Sequence, residues 1–391
     1  MKKLFINSAA ALLLAAATLA LGGAGGGSPA VRLMRVPNGG IQPQAAIGPG
    51  GTLHLTYFKG DPAHGDIFYV TSRNQGRTFS SPIRVNSQAG SAIAIGTIRG
   101  PRLALGGGGR VYVAWNGSSA ASPKGLRGGA PMLFTRLNAS KTGFEPQRDL
   151  MKLTFGLDGG GSVAADGAGN VYVAWHGKRP TDPAGEAGRS AWIRRSQDRG
   201  RDFTRESRAW SEPTGACSCC GIAIFAARDG AVYILYRSAR QMVHRDLYLL
   251  ASRDHGKTFR GRLLDKWTLG ACPMSSADFS QGPGFVDVAW QTQSQVYFAK
   301  IDPGTLKLSP AIAAPGKSRL RKYPALSVNS RGDTLLVWTN DAGWGQTGSL
   351  GWQVFGRNGK PIRKEGSGPA VAAWSFGTAF ARPDGGFTIV Y

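Results

Sequence analysis

Seven times along this chain a run of small and apolar residues meets a glycine-containing turn and returns as a strand that ends in an aromatic. The copies read QPQAAIGPGGTLHLTYF, GPRLALGGGGRVYVAWNG, GGSVAADGAGNVYVAWHG, CCGIAIFAARDGAVYILYRS, SSADFSQGPGFVDVAWQT, YPALSVNSRGDTLLVWTN and GTAFARPDGGFTIVY. Their closing aromatics, Tyr57, Trp115, Trp175, Tyr236, Trp290, Trp338 and Tyr391, are 58, 60, 61, 54, 48 and 53 residues apart. A unit of this length cannot bury its apolar face alone and must stack on its neighbours. One four-stranded β-propeller blade per copy satisfies that need. The 57 glycines and the lack of long helical periodicity agree with an all-β chain. Seven blades are expected over six, the lower count requiring a permuted or merged terminal unit. The last copy supplies only two strands before Tyr391, so the segment AVRLMRV at residues 30–36 is expected to complete that blade and close the ring. Residues 25–391 then form a single domain with few exposed strand edges.

The chain opens MKKLFINSAAALLLAAATLALGGAGGGSPA. Two lysines, an apolar run from Ala9 to Leu21 and small residues suited to cleavage near Ala24 read as a secretory signal peptide over residues 1–24. The apolar run is shorter than the roughly 20 residues of a membrane span, and no cysteine follows it to carry lipid. The expected product is an exported monomer, periplasmic or secreted. In that oxidising setting an even cysteine count favours disulfides.

Three connecting turns share a pattern: SRNQGRTF (72–79), SQDRGRDF (196–203) and SRDHGKTF (252–259). The physics of such a turn assigns structural roles to Ser72, Asn74, Gly76 and Phe79, to Ser196, Asp198, Gly200 and Phe203, and to Ser252, Asp254, Gly256 and Phe259. The carboxylate or amide accepts backbone N–H bonds, glycine supplies a positive φ, and the aromatic tucks between sheets. These turns closely resemble the Asp box, or bacterial neuraminidase repeat, and the chain is similar to the sialidase-like propellers over nearly its whole mature length. The segments WHGKRP, GEAGRSAWIRRS, GACSCCG, YILYRSARQMVHRDLYLL and GACPMSSA look like a subgroup of exported bacterial sialidase-like proteins with a Cys-x-Cys-Cys motif and a later Cys-Pro. That resemblance implies a family without implying a reaction.

Sialidases clamp a substrate carboxylate with three arginines and use a Tyr–Glu pair with an aspartic acid. Here Gln42 stands where the first arginine belongs, and Arg35–Pro37 sits several residues too early. Asp61 and Asp66 fall in the region of the acid, Tyr323 opens an inner strand, and Glu186 is one of five glutamates. These four are the catalytic candidates of a glycoside hydrolase. His176, Arg189, Arg237, Arg245 and Asp246 cluster in the third and fourth units and are the candidate ligand contacts in a central funnel. Saturable glycan binding without turnover distinguishes a binding module from an enzyme. No cofactor is called for on either reading.

The cysteines leave alternatives open. GAC occurs at 215–217 and again at 270–272, so Cys217 and Cys272 hold equivalent places in successive units, where a disulfide is expected near the starts of two inner strands. Cys219 and Cys220 then pair with each other or stay as thiols, and Cys272 has either of them as an alternative partner. A soft-metal set of Cys217, Cys219, Cys220, Cys272 and Met274 is the second reading, and a redox thiol the third. The formal charge of +24 is spread along the chain and suits anionic partners such as acidic glycans. The chain carries no recognised nucleic-acid module, which disfavours a nucleic-acid role.

Overall fold

The computed structural model describes residues 29–391; the signal-peptide reading of residues 1–24 lies outside them. Seven sheets are arranged around an axis. Blade 1 holds strands Ile41–Ile47, Leu53–Lys59, Asp66–Ser72 and Ile83–Arg84. Blades 2 to 6 repeat the pattern, with inner strands Arg102–Gly106, Ser162–Ala165, Ala223–Ala226, Ala277–Gly282 and Arg321–Val328. Within these six blades each strand pairs antiparallel with the next. No α-helix occurs among the described residues.

Blade 7 is different. Thr378–Ala381 and Phe387–Val390 form a hairpin, and Val31–Met34 joins it in parallel, with Val31 opposite Phe387 and Met34 opposite Val390. The first and last described strands are therefore held together in one sheet.

The repeated sequence unit is the inner hairpin of each blade. Its second strand carries the closing aromatic into the contact between blades, where Trp115, Trp175 and Trp338 are completely buried and Tyr57 and Trp290 nearly so. These aromatics pack among the Val, Leu, Ile and Ala of neighbouring blades and add to the apolar area that holds adjacent sheets together.

This topology gives the molecule two unlike faces. Loops leading into the inner strands and loops joining second to third strands gather at what we call the upper face. The hairpin turns and the three Ser-x-Asp/Asn turns lie at the lower face, where the Arg199 amide donates to the Gly169 carbonyl and the His255 ring lies 3.9 Å from Asp166. Each of these turns is closed in the same way. Ser72, Ser196 and Ser252 accept the amides of Gly76, Gly200 and Gly256 at 2.8, 2.9 and 2.8 Å, and Asn74, Asp198 and Asp254 accept those of Thr78, Asp202 and Thr258. Gly256 has φ +70°, a conformation that an L side chain rarely adopts.

Candidate functional site

The inner strands surround a channel of about 690 Å³, within the usual range for small-molecule sites. Strand register identifies one layer of its wall. The residues paired opposite the position before each closing aromatic are Gln44, Arg102, Ser162, Ala223, Asp278, Ala325 and Thr378. All seven line the channel. Five are small or neutral, whereas Arg102 and Asp278 carry opposite charges from blades 2 and 5.

Burial raises the Asp278 carboxyl to about 6, against the pull of the Leu326 and Phe279 amides and of Arg102, the one charged group in its field. Its Oδ2 accepts the Leu326 amide at 2.8 Å. The Arg102 guanidinium lies 5.9 Å from the Phe376 ring centroid and makes no hydrogen bond or ion pair with any described residue. Burial lowers its pKa, and Asp278 opposes that shift. Arg102 thus presents an unused donor fork to enclosed space.

The channel is stopped at the upper face by the loop 95–100. Ile98, 2 % exposed, packs with Tyr323, Ala342 and Phe376 on the axis. Its carbonyl lies so close to Gly160 that a Cβ there would meet it at 1.8 Å. Gln42 braces the plug, with Nε2 donating to the carbonyls of Ala94 and Trp374 at 2.6 and 2.7 Å. The residue in the expected arginine position is therefore a buried strut. Access to the channel is from the lower face, past Ile47, Gly167, Arg228 and Gln281.

The catalytic candidates do not converge on this space. Asp61 lies on an exposed loop and caps the amide of Ala63 at 2.8 Å. Asp66 accepts Asn86 Nδ2 at 2.6 Å and the Gly90 amide at 2.8 Å, holding loops of blade 1. Tyr323 reaches the closed end of the channel, but its side chain is bonded to Thr97 rather than to a glutamate. Glu186 lies beside the cysteines. No Tyr–Glu pair or carboxylate pair of the expected kind forms from these four.

The ligand candidates do gather, around a different centre. Cys217, Cys219 and Cys220 are buried, with their sulfurs within 4.8 Å of one another. Cys217 Sγ is 3.1 Å from Cys220 Sγ and 3.5 Å from Cys219 Sγ. The expected disulfide is absent: all four thiols are free, and Cys272 is exposed. The inner strands of these units begin only at Ala223 and Ala277. The cysteines sit in the connecting loops, Cys219 and Cys220 in a tight turn at 218–220.

Glu186 fixes that turn. Its Oε1 accepts the Ser218 amide at 2.7 Å and the Ser218 hydroxyl at 2.6 Å, while Oε2 accepts Arg245 at 2.7 Å. Burial opposes its ionisation, but these bonds outweigh it and hold the carboxyl below its ordinary value. Arg237 donates to Ser275 Oγ at 2.8 Å and to the carbonyls of Arg245 and Gln291. Ser275 in turn lies 3.4 Å from Cys220 Sγ. Burial works against ionisation of Cys220, but hydrogen bonds from Cys217 and Cys219 and the charge of Arg237 hold it well below the usual thiol range. Arg189 donates to the Gly156 carbonyl. Asp246 accepts the Trp267 amide at 3.1 Å and so positions the next loop.

His176 is buried, with Nε2 3.2 Å from the Cys220 carbonyl and Nδ1 without a partner among the described residues. Burial lowers its pKa to about 4, so the ring is neutral at physiological pH. Lys322, which the sequence reading missed, donates to the Pro273 carbonyl at 3.2 Å and also faces the cysteines. Arg102 and Asp278 were missed as well. Their signal was a charge at one register position in an otherwise neutral set of seven.

No protein-family model matches this sequence, and no curated protein does. Solved structures do resemble it. A protein of unknown function from Dyadobacter fermentans DSM 18053 superposes with a TM-score of 0.51 at 14% identity, over 88% of this chain and 97% of that one. The Penicillium chrysogenum alpha-L-arabinanase, solved with arabinobiose, gives a TM-score of 0.50 at 14% identity over 83% and 95%. The NanB sialidase from Streptococcus pneumoniae gives 0.46 at 11% identity, over 89% of this chain and 64% of that one. At such identities the likeness is one of fold alone, and the chain is a seven-bladed β-propeller.

Proposed function

We propose that this protein is an exported binding propeller whose axial channel takes a small polyhydroxylated carboxylate, a sugar acid by class. The observation that carries this reading is Arg102, an enclosed guanidinium with no hydrogen-bond acceptor among the described residues. A carboxylate matches its planar fork in bidentate fashion. Gln44, Ser162, Asp278 and Thr378 line the same layer and offer partners for hydroxyl groups. The basic charge of the chain favours approach of an anion, and the carbohydrate enzymes among its structural neighbours are consistent with the ligand class.

Binding is favoured over hydrolysis. A glycosidase needs two carboxyl groups flanking the bond to be cut. Asp278 stands alone in its layer, and Asp166, at the lower end, spends its carboxylate on the amides of Ala168 and Asn170. The test is calorimetric titration with glucuronate, galacturonate and N-acetylneuraminate. One saturable site is expected, with no release of sugar from the corresponding glycosides. Arg102→Gln should weaken binding by about 1.5–3 kcal/mol, roughly 10- to 150-fold. Equal affinity in that variant would remove the basis of the proposal.

A further inference from the structure

The cysteine cluster lies on the far side of the plug and plays no part in the channel reading. Buried thiols often serve only as small apolar side chains, and the three here contact one another through their sulfurs. Their surroundings do not fit that role. Lys322 is 8 % exposed, and the groups in its field that can carry a negative charge are Cys220 and Cys219. Arg237 is 2 % exposed and hydrogen-bonds to no carboxylate; Cys220, Cys217, Asp265 and Cys219 are the groups in its field that can carry a negative charge. Buried cations are costly unless an anion faces them. Neutral thiols would leave these two poorly compensated, and three bare thiolates in contact would repel one another. An ion bound between the thiolates resolves both difficulties.

The geometry and the charge count point to the kind of ion. At a thiolate–metal distance of about 2.3 Å, three sulfurs in a plane around one ion stand about 4 Å apart. Cys217 Sγ stands 3.1 and 3.5 Å from the other two sulfurs and all three lie within 4.8 Å, so a spreading of less than 1 Å at Cys217 reaches that value. We propose that Cys217, Cys219 and Cys220 bind one soft monovalent metal ion, a cuprous ion by class, as three thiolates. Such a complex carries two net negative charges, and the cations that face it are Arg237, Lys322, Arg189 and Arg245, the last paired with Glu186. Zinc in a closed structural site takes four ligands; among the described residues no fourth histidine, cysteine or carboxylate joins the set, and the further sulfur packed on it is the thioether of Met274. Thiolates with a neighbouring thioether suit Cu(I). Loading converts three thiols and one cuprous ion into the trithiolate complex and three released protons; no electron is transferred. Glu186 is the positioning residue, because its carboxylate and Arg245 hold the turn that aims the sulfurs.

The experiment uses the full chain, reduced and handled without oxygen, titrated with cuprous acetonitrile in competition with bicinchoninate. The proposal expects one copper per chain, and X-ray absorption of the wild-type complex that reports three sulfur neighbours. Cys219→Ser removes a ligand and should weaken capture by at least the roughly 100-fold that loss of an outer-shell partner can cost, while Cys272→Ser leaves it unchanged. Should the serine variant misfold, the stoichiometry and X-ray absorption of the wild type still decide the matter. Failure of the reduced wild type to retain copper overturns the proposal, as does preferential uptake of zinc or undiminished capture by a folded Cys219→Ser protein. Sugar-acid binding at Arg102 is measured separately, so either site can fail without the other.

Discussion

Arg102 and Asp278 face one enclosed space with opposite charges, and the acid is the member whose charge changes near physiological pH. Its folded value of about 6 lies above the ordinary 3.8, chiefly through burial. The sign follows. Below 3.8 the carboxyl is protonated in folded and unfolded chains alike, and its contribution to stability is fully present; this is lost as pH rises towards 6, because the unfolded chain ionises first. Binding follows the same titration. Above pH 6 an ionised Asp278 opposes an anionic ligand on Arg102, and below it the opposition disappears. Glucuronate affinity, measured by calorimetry, should therefore rise as pH falls from 7.5 to 5, and Asp278→Asn should be tight and flat across that range. The reverse slope in the wild type would count against the shared layer. Neither residue stood out in the sequence because repetition draws attention to what recurs. The recurrent aromatics hold the blades together, whereas Arg102 and Asp278 each occur once at their register position. They become visible only when the pairing of every inner hairpin is known.

At the scale of elements, the inner hairpins were legible because each copy carries the same glycine turn and closing aromatic, and the structure buries Trp115, Trp175, Trp290 and Trp338 as that pattern requires. The connecting loops were not. GACSCCG adjoins an inner strand and was read as the beginning of one, yet Glu186, thirty-two residues from Ser218, folds it into a turn through a contact that no local pattern encodes. A long-range hydrogen bond of this sort decides conformation only after the blades have assembled. The parallel strand Val31–Met34 has a more direct consequence. Val31 packs against the blade 7 core and Met34 against the contact with blade 1. Truncation through Met34 leaves Phe387–Val390 as an unpaired edge and uncovers both apolar contacts. The expected result is a loss of at least about 2 kcal/mol in urea unfolding, together with concentration-dependent light scattering. An unchanged unfolding midpoint would mean that ring closure does not depend on this strand.

For the whole molecule, the arrangement of faces sets the route to the channel. The candidate ligand contacts of the sequence gather at the upper face, where the loops into the inner strands meet, but Ile98 and its neighbours fill that opening. The plug is tightly seated. Gly160 and Gly100 leave no room for a Cβ, which would stand 1.8 Å from the Ile98 carbonyl and 1.9 Å from Gln42 Oε1. Motion that opened this end would have to uncouple contacts from blades 6 and 7 and from the loops between blades 2 and 4 together, and packed cores resist such partial displacement. The lower mouth has no such closure. Gly167 lines it, is exposed, and has nothing within 4 Å of a Cβ built there. Gly167→Trp therefore adds an indole at the mouth without displacing an existing side chain. Thermal stability should remain within about 0.5 kcal/mol of the parent, while stopped-flow association of a sugar acid slows by an order of magnitude or more. If association is unaffected in a protein of unchanged stability, ligand does not pass the lower mouth, and the plug at Ile98 must open.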